Sequence, residues 1–143
     1  MPSFARIDGT NTVTDIFTLD NQDCLDASGN HSSTIGAAIC EQKKAGTWIE
    51  SAEKNKEGLR GNYAGIGHTY MTGVQTLGVA STDIFMPQPP YPSWTGISTI
   101  SAEWLPPITR PTETDAEVAS HKNYNWDETA YQGDNTQGWV LTV

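Results

Sequence analysis

Hydrophobic and polar residues alternate along much of the first half of the chain, which is the pattern of half-buried β-strands. Two such runs, FARI (4–7) and TVTDIFTL (12–19), lie close to the start of the sequence. Between them lies DGTN, a good hairpin turn because Gly9 and Asn11 tolerate positive φ. Apolar residues occur on both faces of the second run, so we expect both faces to be partly covered.

Two later runs have the same strand-like character. TWIESAE (47–53) places Trp48 and Ile49 on opposite sides, and VASTDIFMP (79–87) is stopped by Pro87. Together with the first hairpin, these runs predict a small antiparallel sheet. The predicted class is mainly β, with a minor helical part of the α+β kind.

One short helix is predicted near residues 33–45. Ser32 or Ser33 can cap its start, and Gly46 can end it. Lysines in the last turn suit the negative end of the helix dipole. The residues expected to share one face of this helix are Ile35, Ala38, Ile39 and Gln42.

Prolines bound the segments of the second half. PQPPYP (87–92) predicts a stiff, extended polyproline II segment. SWTGISTISAEWLPP (93–107) predicts a hairpin, across which Trp94 and Trp104 can pair.

The last part of the chain predicts a connector followed by another hairpin. ITRPTETDAEVASHK (108–122) is polar and acidic, which is typical of a flexible connector. In the tail (124–143), Trp126 and Trp139 lie on opposite arms, and QGDNTQG (132–138) is the expected turn. The two aromatic hairpins are thus expected to be of similar build.

The length of 143 residues fits one domain. Residues 1–86 are expected to form a compact β-rich part that contains the helix. Residues 87–143 are expected to form an extended region of proline-bounded β-hairpins within the same domain.

Charge excludes one class of partner. The chain has 17 acidic and 8 basic residues, for a formal net charge of −9, so the positive surface of a nucleic-acid-binding protein is missing. No run approaches the roughly 18 apolar residues of a membrane span. The start, MPSFARIDG, lacks the pattern of a signal peptide, so we expect synthesis in a cytoplasm and no membrane insertion.

Residues with reactive side chains are few. Cys24 and Cys40 are expected to be free thiols, because no export signal indicates an oxidising compartment. His31 and His121 lie in polar loops and are expected at the surface, whereas His68 lies among glycines and aromatics. HExxH, GxSxG and GxxxxGK[ST] motifs do not occur. We therefore assign no catalytic residue, no metal ligand and no cofactor.

Two polar loops resemble ligand sites only superficially. The acidic residues of DNQDCLDASGNHSS (20–33) do not have the spacing of an EF-hand calcium loop. KNKEGLRGN (54–62) is rich in basic residues, but neighbouring glutamates offset their charge. Both are expected to be solvated loops.

The stretch YAGIGHTYMTGV (63–74) is rich in glycine. A dinucleotide-binding loop needs glycine where Tyr70 stands and a following helix, whereas β-forming residues follow here. Gly65 and Gly67 are instead expected to form a tight structural turn before a strand, in backbone conformations or close approaches that a side chain would forbid. Tyr63 and Tyr70 are expected to pack on either side of it.

Five tryptophans and five tyrosines are many for this length. They can form the small cores of hairpins, anchors at a subunit interface or a surface that stacks on sugars. The candidate interface or glycan contacts are Tyr91, Trp94, Trp104, Trp126 and Trp139.

The order of motifs resembles that of a family of small proteins encoded by tailed phages of marine cyanobacteria and other marine bacteria. The motifs are RGNYAGIGHTY (60–70), FMPQPPYPSW (85–94) and YNWDE (124–128), and the resemblance covers nearly the whole chain. Segments 71–84 and 109–122 are longer than the family pattern, which suggests insertions that serve a partner contact.

Members of that family are commonly regarded as virion structural proteins, so the resemblance implies a non-enzymatic particle component. It would decorate the head exterior or belong to the tail and its fibres, as a homo-oligomer or in many copies in contact with other virion proteins. One alternative is a receptor- or glycan-binding module of the tail that contacts a host surface glycan. Another alternative is a small hydrolase.

Overall fold

The computed structural model describes residues 1–51, 62–73 and 83–143. Within these ranges the chain is mainly β with a smaller helical content, which confirms the predicted class. The strands are β1 (Ser3–Ile7), β2 (Val13–Thr18), β3 (Thr47–Ser51), β4 (Thr69–Met71), β5 (Ile84–Met86), β6 (Gly96–Ile97), β7 (Trp104–Leu105), β8 (Asn123–Trp126) and β9 (Trp139–Thr142). The helices are α1 (Ser33–Lys43), α2 (Asp115–Ala119) and α3 (Glu128–Gly133), and a 3₁₀ turn covers Asn21–Cys24.

The chain divides into two compact units. The first unit contains Met1–Gln88 and Ile97–Glu103, and the second contains Pro89–Gly96 and Trp104–Val143. The only sheet of more than two strands in the described ranges lies in the first unit, in the order β2-β1-β3, and both of its pairings are antiparallel.

The turn between β1 and β2 forms as the sequence predicts. The Asp8 carboxylate accepts hydrogen bonds from the backbone N–H of Thr10 (2.8 Å) and of Thr12 (3.0 Å). Asn11 has a φ of 62°, so it takes the left-handed conformation of the turn, and Gly9 does not. The first predicted hairpin is therefore confirmed.

Helix α1 is confirmed, and Ile39 of the predicted face packs against the core, but the most buried positions are not in that set. Ser32 caps the helix as expected, whereas Gly36 and Cys40 are the buried positions and Ala38 and Gln42 are exposed. The ring of Phe4, on β1, sets this orientation of the helix. A Cβ on Gly36 would lie 2.2 Å from Cζ of Phe4, so only glycine lets the helix approach.

The first unit has two clusters of buried residues. One lies between α1 and the sheet and contains Phe4, Leu19, Cys24, Cys40 and Trp48. The other contains Ala5, Val13 and Phe85. In addition, the side-chain amide of Asn62 donates to the carbonyls of Phe85 (3.1 Å) and Ala102 (3.0 Å). This amide ties residues 97–103 to the rest of the first unit.

The second unit contains two helices that sequence patterns do not predict. The segment expected to be a flexible connector contains α2, and the Thr114 hydroxyl caps this helix. The expected turn of the tail hairpin contains part of α3, which the Asp127 carboxylate caps. Both helices are too short to show a periodic apolar face. The strand pair that flanks α3 is confirmed, since β8 and β9 are antiparallel and place Trp126 opposite Trp139.

The prediction of one extended segment over residues 87–92 is also only partly right. The backbone N–H of Trp94 donates to the carbonyl of Tyr91 (3.1 Å), so the chain turns at Pro92 and Ser93. A proline at the second position of a turn fixes the φ that this position needs. The turn brings Trp94 back beside Tyr91.

Candidate functional site

Five aromatic side chains of the second unit pack against one another, and we call them the aromatic cluster: Tyr91, Trp94, Trp126, Tyr131 and Trp139. The ring centroid of Trp94 lies 5.9 Å from that of Trp126 and 6.2 Å from that of Trp139. Trp126 and Trp139 are 5.3 Å apart and nearly perpendicular, at 74°. Such tilted contacts are favourable between ring quadrupoles.

Burial shows that the cluster is the small core of the second unit. Trp126 is only 8% exposed, whereas Tyr91, Trp94, Tyr131 and Trp139 are half-buried. The sequence pattern assigns Trp94 and Trp126 to separate hairpins, but their rings are neighbours. The two predicted hairpins correspond to the strand pairs β6–β7 and β8–β9, but the ring of Trp94 packs against tryptophans of the second pair.

The three indole N–H groups of the cluster differ in their partners. Trp139 Nε1 donates to the carbonyl of Ile108 at 2.8 Å, and Trp126 Nε1 donates to Glu128 Oε2 at 3.4 Å. Trp94 Nε1 is buried and has no acceptor among the described residues. A buried donor without a partner typically costs ~1–3 kcal/mol.

Glu128 holds the turn that carries Trp94. Its carboxylate accepts hydrogen bonds from Ser93 N (3.2 Å) and Ser93 Oγ (2.7 Å). Partial desolvation opposes ionisation, but hydrogen bonds from Ser93, Trp126 and Gln132 hold the pKa of Glu128 below its ordinary value. Trp94 is therefore fixed in position by a charged group as well as by its ring contacts.

An ion pair supports Trp139. The Arg110 guanidinium pairs with Glu113 and lies 5.8 Å from the centroid of the Trp139 ring. Glu113 also accepts from the backbone N–H of Tyr124 at 2.9 Å. The Tyr124 and Arg110 hydrogen bonds lower the pKa of Glu113 to about 2.

The remaining aromatic candidate, Trp104, lies in β7 of the second unit and is half-buried. Four of the five predicted contact residues thus converge on one cluster. Tyr131, the fifth member of the cluster, is not a candidate on sequence grounds because its segment has the pattern of a hairpin arm.

The glycine-rich stretch forms a turn that is hydrogen-bonded to the start of β2. Gly67 has a φ of +84° and donates its N–H to the carbonyl of Val13 at 2.9 Å. A Cβ on Gly65 would lie 2.7 Å from Nε2 of His68, so the imidazole packs directly on this glycine. Tyr70 packs against Phe85, but Tyr63, which is expected from the sequence to pack beside the turn, is 56% exposed.

A polar network in the first unit is not apparent from sequence patterns. Glu50 of β3 is 3% exposed, and its Oε2 lies 2.9 Å from His31 Nε2 and within hydrogen-bonding distance of Ser33 Oγ. The polar loop predicts His31 at the surface, and its side chain is 44% exposed. One sequence feature could have indicated this network. Glu50 lies two residues after Trp48, so both side chains face the inward side of the strand, where a carboxyl group needs hydrogen-bond donors.

The network is not a catalytic triad. In a triad the histidine accepts the serine proton and the acid orients the histidine. Here Ser33 and His31 both bond to the same oxygen of Glu50, so the imidazole does not lie between the hydroxyl and the acid. The arrangement supplies two donors to one oxygen of the Glu50 carboxyl group and leaves Ser33 without a histidine base.

Both cysteines are free and fully buried. Burial, with nearby carboxylates as a further cause, raises the pKa of the Cys24 thiol, and burial also raises the pKa of Cys40. Thiols of this kind are protonated at neutral pH and react slowly.

Metal-binding clusters and membrane-spanning helices are both absent from the part of the chain that the structure describes. No group of three or more His, Cys, Asp or Glu side chains there is arranged to hold a metal ion. In the same ranges, no helix has the length and apolar character needed to cross a membrane.

Comparison with models of protein families, with curated proteins and with solved structures found no match.

Proposed function

We propose that the chain is a structural component of a phage virion that assembles through protein–protein contacts, on the head exterior or in the tail and fibre apparatus. The proposal begins from the motif order RGNYAGIGHTY, FMPQPPYPSW and YNWDE, which resembles small virion proteins of marine tailed phages. Its partners would be other virion proteins or further copies of the same chain.

One observation in the second unit carries the proposal. Trp94 is half-buried and held in place by Glu128 through Ser93, yet its indole N–H has no acceptor among the described residues. Tryptophan, tyrosine and arginine are the residues most enriched at the energetic centres of interfaces. A partner protein that covers the half-buried rings of Tyr91, Trp94 and Trp139 would complete the burial of this cluster.

The glycan alternative receives less support. Sugar stacking needs an exposed ring face, whereas Tyr91 and Trp94 are half-buried and tilted by 49° to each other. The hydrolase alternative needs two carboxyl groups that face a shared substrate. Glu41 and Glu50 line one groove, but Glu41 is exposed and Glu50 already bonds to Ser33 and His31.

Quantitative mass spectrometry of purified particles tests the proposal. We expect the chain in every particle, in hundreds of copies for a head position and a few to tens for a tail position. Trp94→Phe, which removes the N–H and part of the ring, is expected to lower incorporation by more than its loss of stability in the free chain, measured in parallel, accounts for. Absence of the chain from particles would refute the proposal, and normal incorporation of Trp94→Phe would refute the role of this residue.

A further inference from the structure

A groove lies beside the outer edge of the three-stranded sheet. It has a volume of about 570 Å³ and is lined by residues 46–50 and by one side of α1, including Ser33, Ala37 and Glu41. Successive side chains of a strand point to opposite faces of its sheet. A cavity that touches five successive residues must therefore run along the backbone of β3, at its edge.

Among the described residues, β3 is an edge strand of its sheet. β3 pairs with β1 on one side, and no strand in the ranges 1–51, 62–73 and 83–143 pairs with its other side. A free edge presents backbone N–H and C=O groups that an added strand can bond. Peptide binding by strand addition uses these groups for affinity and nearby pockets for side-chain specificity.

Glu50 supplies a hydrogen-bond acceptor to the groove. Its two hydrogen bonds, from His31 and Ser33, both go to Oε2, and Oε1 accepts none from the described residues. At 3% exposure, this carboxyl group lines the groove with an acceptor that is left open. Oε1 is not among the fully buried atoms that lack a partner, so it can accept a donor from the groove, and a carboxylate favours a cationic donor most.

The charged side chains that line the groove are both acidic. Glu50 lies in the wall formed by β3 and Glu41 in the wall formed by α1, and no lysine or arginine is among the lining residues of the described ranges. The nearby cations are engaged elsewhere, because Arg6 bonds to Asp15 (3.3 Å) and to the carbonyl of Ala45 (2.8 Å), and Lys44 bonds to Asp15 (2.7 Å). The net charge of −9 adds a long-range preference for a basic partner.

We infer that this groove binds an extended segment of a partner protein, which adds a strand to β3 and directs a lysine or arginine to Glu50. The volume lies within the range of small binding pockets, ~300–1,000 Å³, and accommodates one such side chain. The site lies wholly in the first unit, so it goes beyond the proposed role of Trp94 and can fail independently of it.

Selection from a random heptapeptide library displayed on ribosomes, with the full chain as the target, tests the inference. The selected peptides are expected to combine β-forming residues with one lysine or arginine. A selected peptide is expected to bind Glu50→Gln at least about tenfold more weakly, because a charge-assisted hydrogen bond is lost. Glu41→Gln is expected to weaken binding less, and Asp23→Asn, which removes one exposed charge outside the groove, is expected to bind like the unaltered chain.

Amide hydrogen exchange provides the second measurement, because it separates strand addition from simple ion pairing. The bound peptide is expected to slow exchange of backbone amides within residues 47–51 in the unaltered chain and in Asp23→Asn. Peptides without a basic residue, affinity unaffected by Glu50→Gln in a variant that retains its fold, or unprotected β3 amides would overturn the inference. Self-association of the chain through β3 would overturn it as well, since the occupant would then be a second copy.

Discussion

The ring of Phe4 lies against the backbone of Gly36, so close that a Cβ on this glycine would be 2.2 Å from Cζ of the ring. Phe4 is fully buried and cannot move aside easily. Gly36→Ala is therefore expected to destabilise the chain by about 2 kcal/mol, because overpacking outweighs the better helix propensity of alanine. Chemical denaturation measures the change.

Gly133→Ala is the matched control for that substitution. Gly133 also lies in a helix, and a Cβ added to it would have no other atom within 4 Å. Alanine there is expected to be neutral or to stabilise by up to ~1 kcal/mol. Equal effects at the two glycines would contradict the packing described for α1.

Gly67 occupies a backbone conformation that other residues rarely adopt, with a φ of +84°. Gly67→Ala is expected to cost about 1–2 kcal/mol of stability, although nothing obstructs a Cβ at this position. Gly9→Ala serves as the control, since Gly9 lies in a turn with open space and no positive φ. Thermal unfolding of both variants distinguishes backbone strain from a general sensitivity of turns to alanine.

The different partners of the indole N–H groups have a measurable consequence. Trp139→Phe removes a hydrogen bond to Ile108 and is expected to cost about 1 kcal/mol more than Trp94→Phe, which removes a donor without an acceptor. Both substitutions delete the same atoms, so the difference between their unfolding free energies contains the hydrogen bond together with any change in the contact of Arg110 with the ring of Trp139. A larger loss for Trp94→Phe would mean that its N–H is satisfied in the free chain.

The lowered pKa of Glu113 predicts that the second unit loses stability in acid. Hydrogen bonds from Tyr124 and Arg110 lower its pKa to about 2 from an unfolded value near 4.5. A lowered folded pKa means that the contribution to stability is present above the unfolded pKa and is lost as the pH falls toward 2. Carboxyl titration by NMR should show this midpoint, and Glu113→Gln should reduce the slope of stability against pH between about 4.5 and 2. A midpoint near 4.5 would contradict the contact.

The buried thiols are expected to resist modification. Cys24 and Cys40 are both 0% exposed, and burial raises the pKa of each. A thiol reagent should therefore label neither in the native chain and both in guanidinium. Rapid labelling under native conditions would show that the core between α1 and the sheet opens readily.

Local signals make parts of the fold predictable. The alternating runs and the DGTN turn predict β1 and β2, and the Ser32 cap predicts the start of α1. Residue spacing does not predict the buried face of α1, because the ring of Phe4 on β1 leaves room only for a glycine, Gly36, where the helix meets the sheet. Similarly, α2 and α3 have 5 and 6 residues, which is too short for a periodic signal.

The candidate sites depend on contacts that are distant in sequence. The aromatic residues are identifiable by type, but their convergence brings Trp94 together with Trp126 and Trp139, far along the chain. Glu50 meets His31 and Ser33 only because α1 packs on β3. No local pattern places these partners together, so their meeting is a property of the fold.

The division of the chain into two interleaved units limits how it can be dissected. The backbone passes between the units at residues 88/89, 96/97 and 103/104, so a contiguous fragment that contains all of the first unit must also contain part of the second. A fragment that stops at Gln88 would deprive the Asn62 amide of the Ala102 carbonyl. A truncation at Gln88 would therefore yield an incomplete first unit, and the two units cannot be separated by a single cut of the chain.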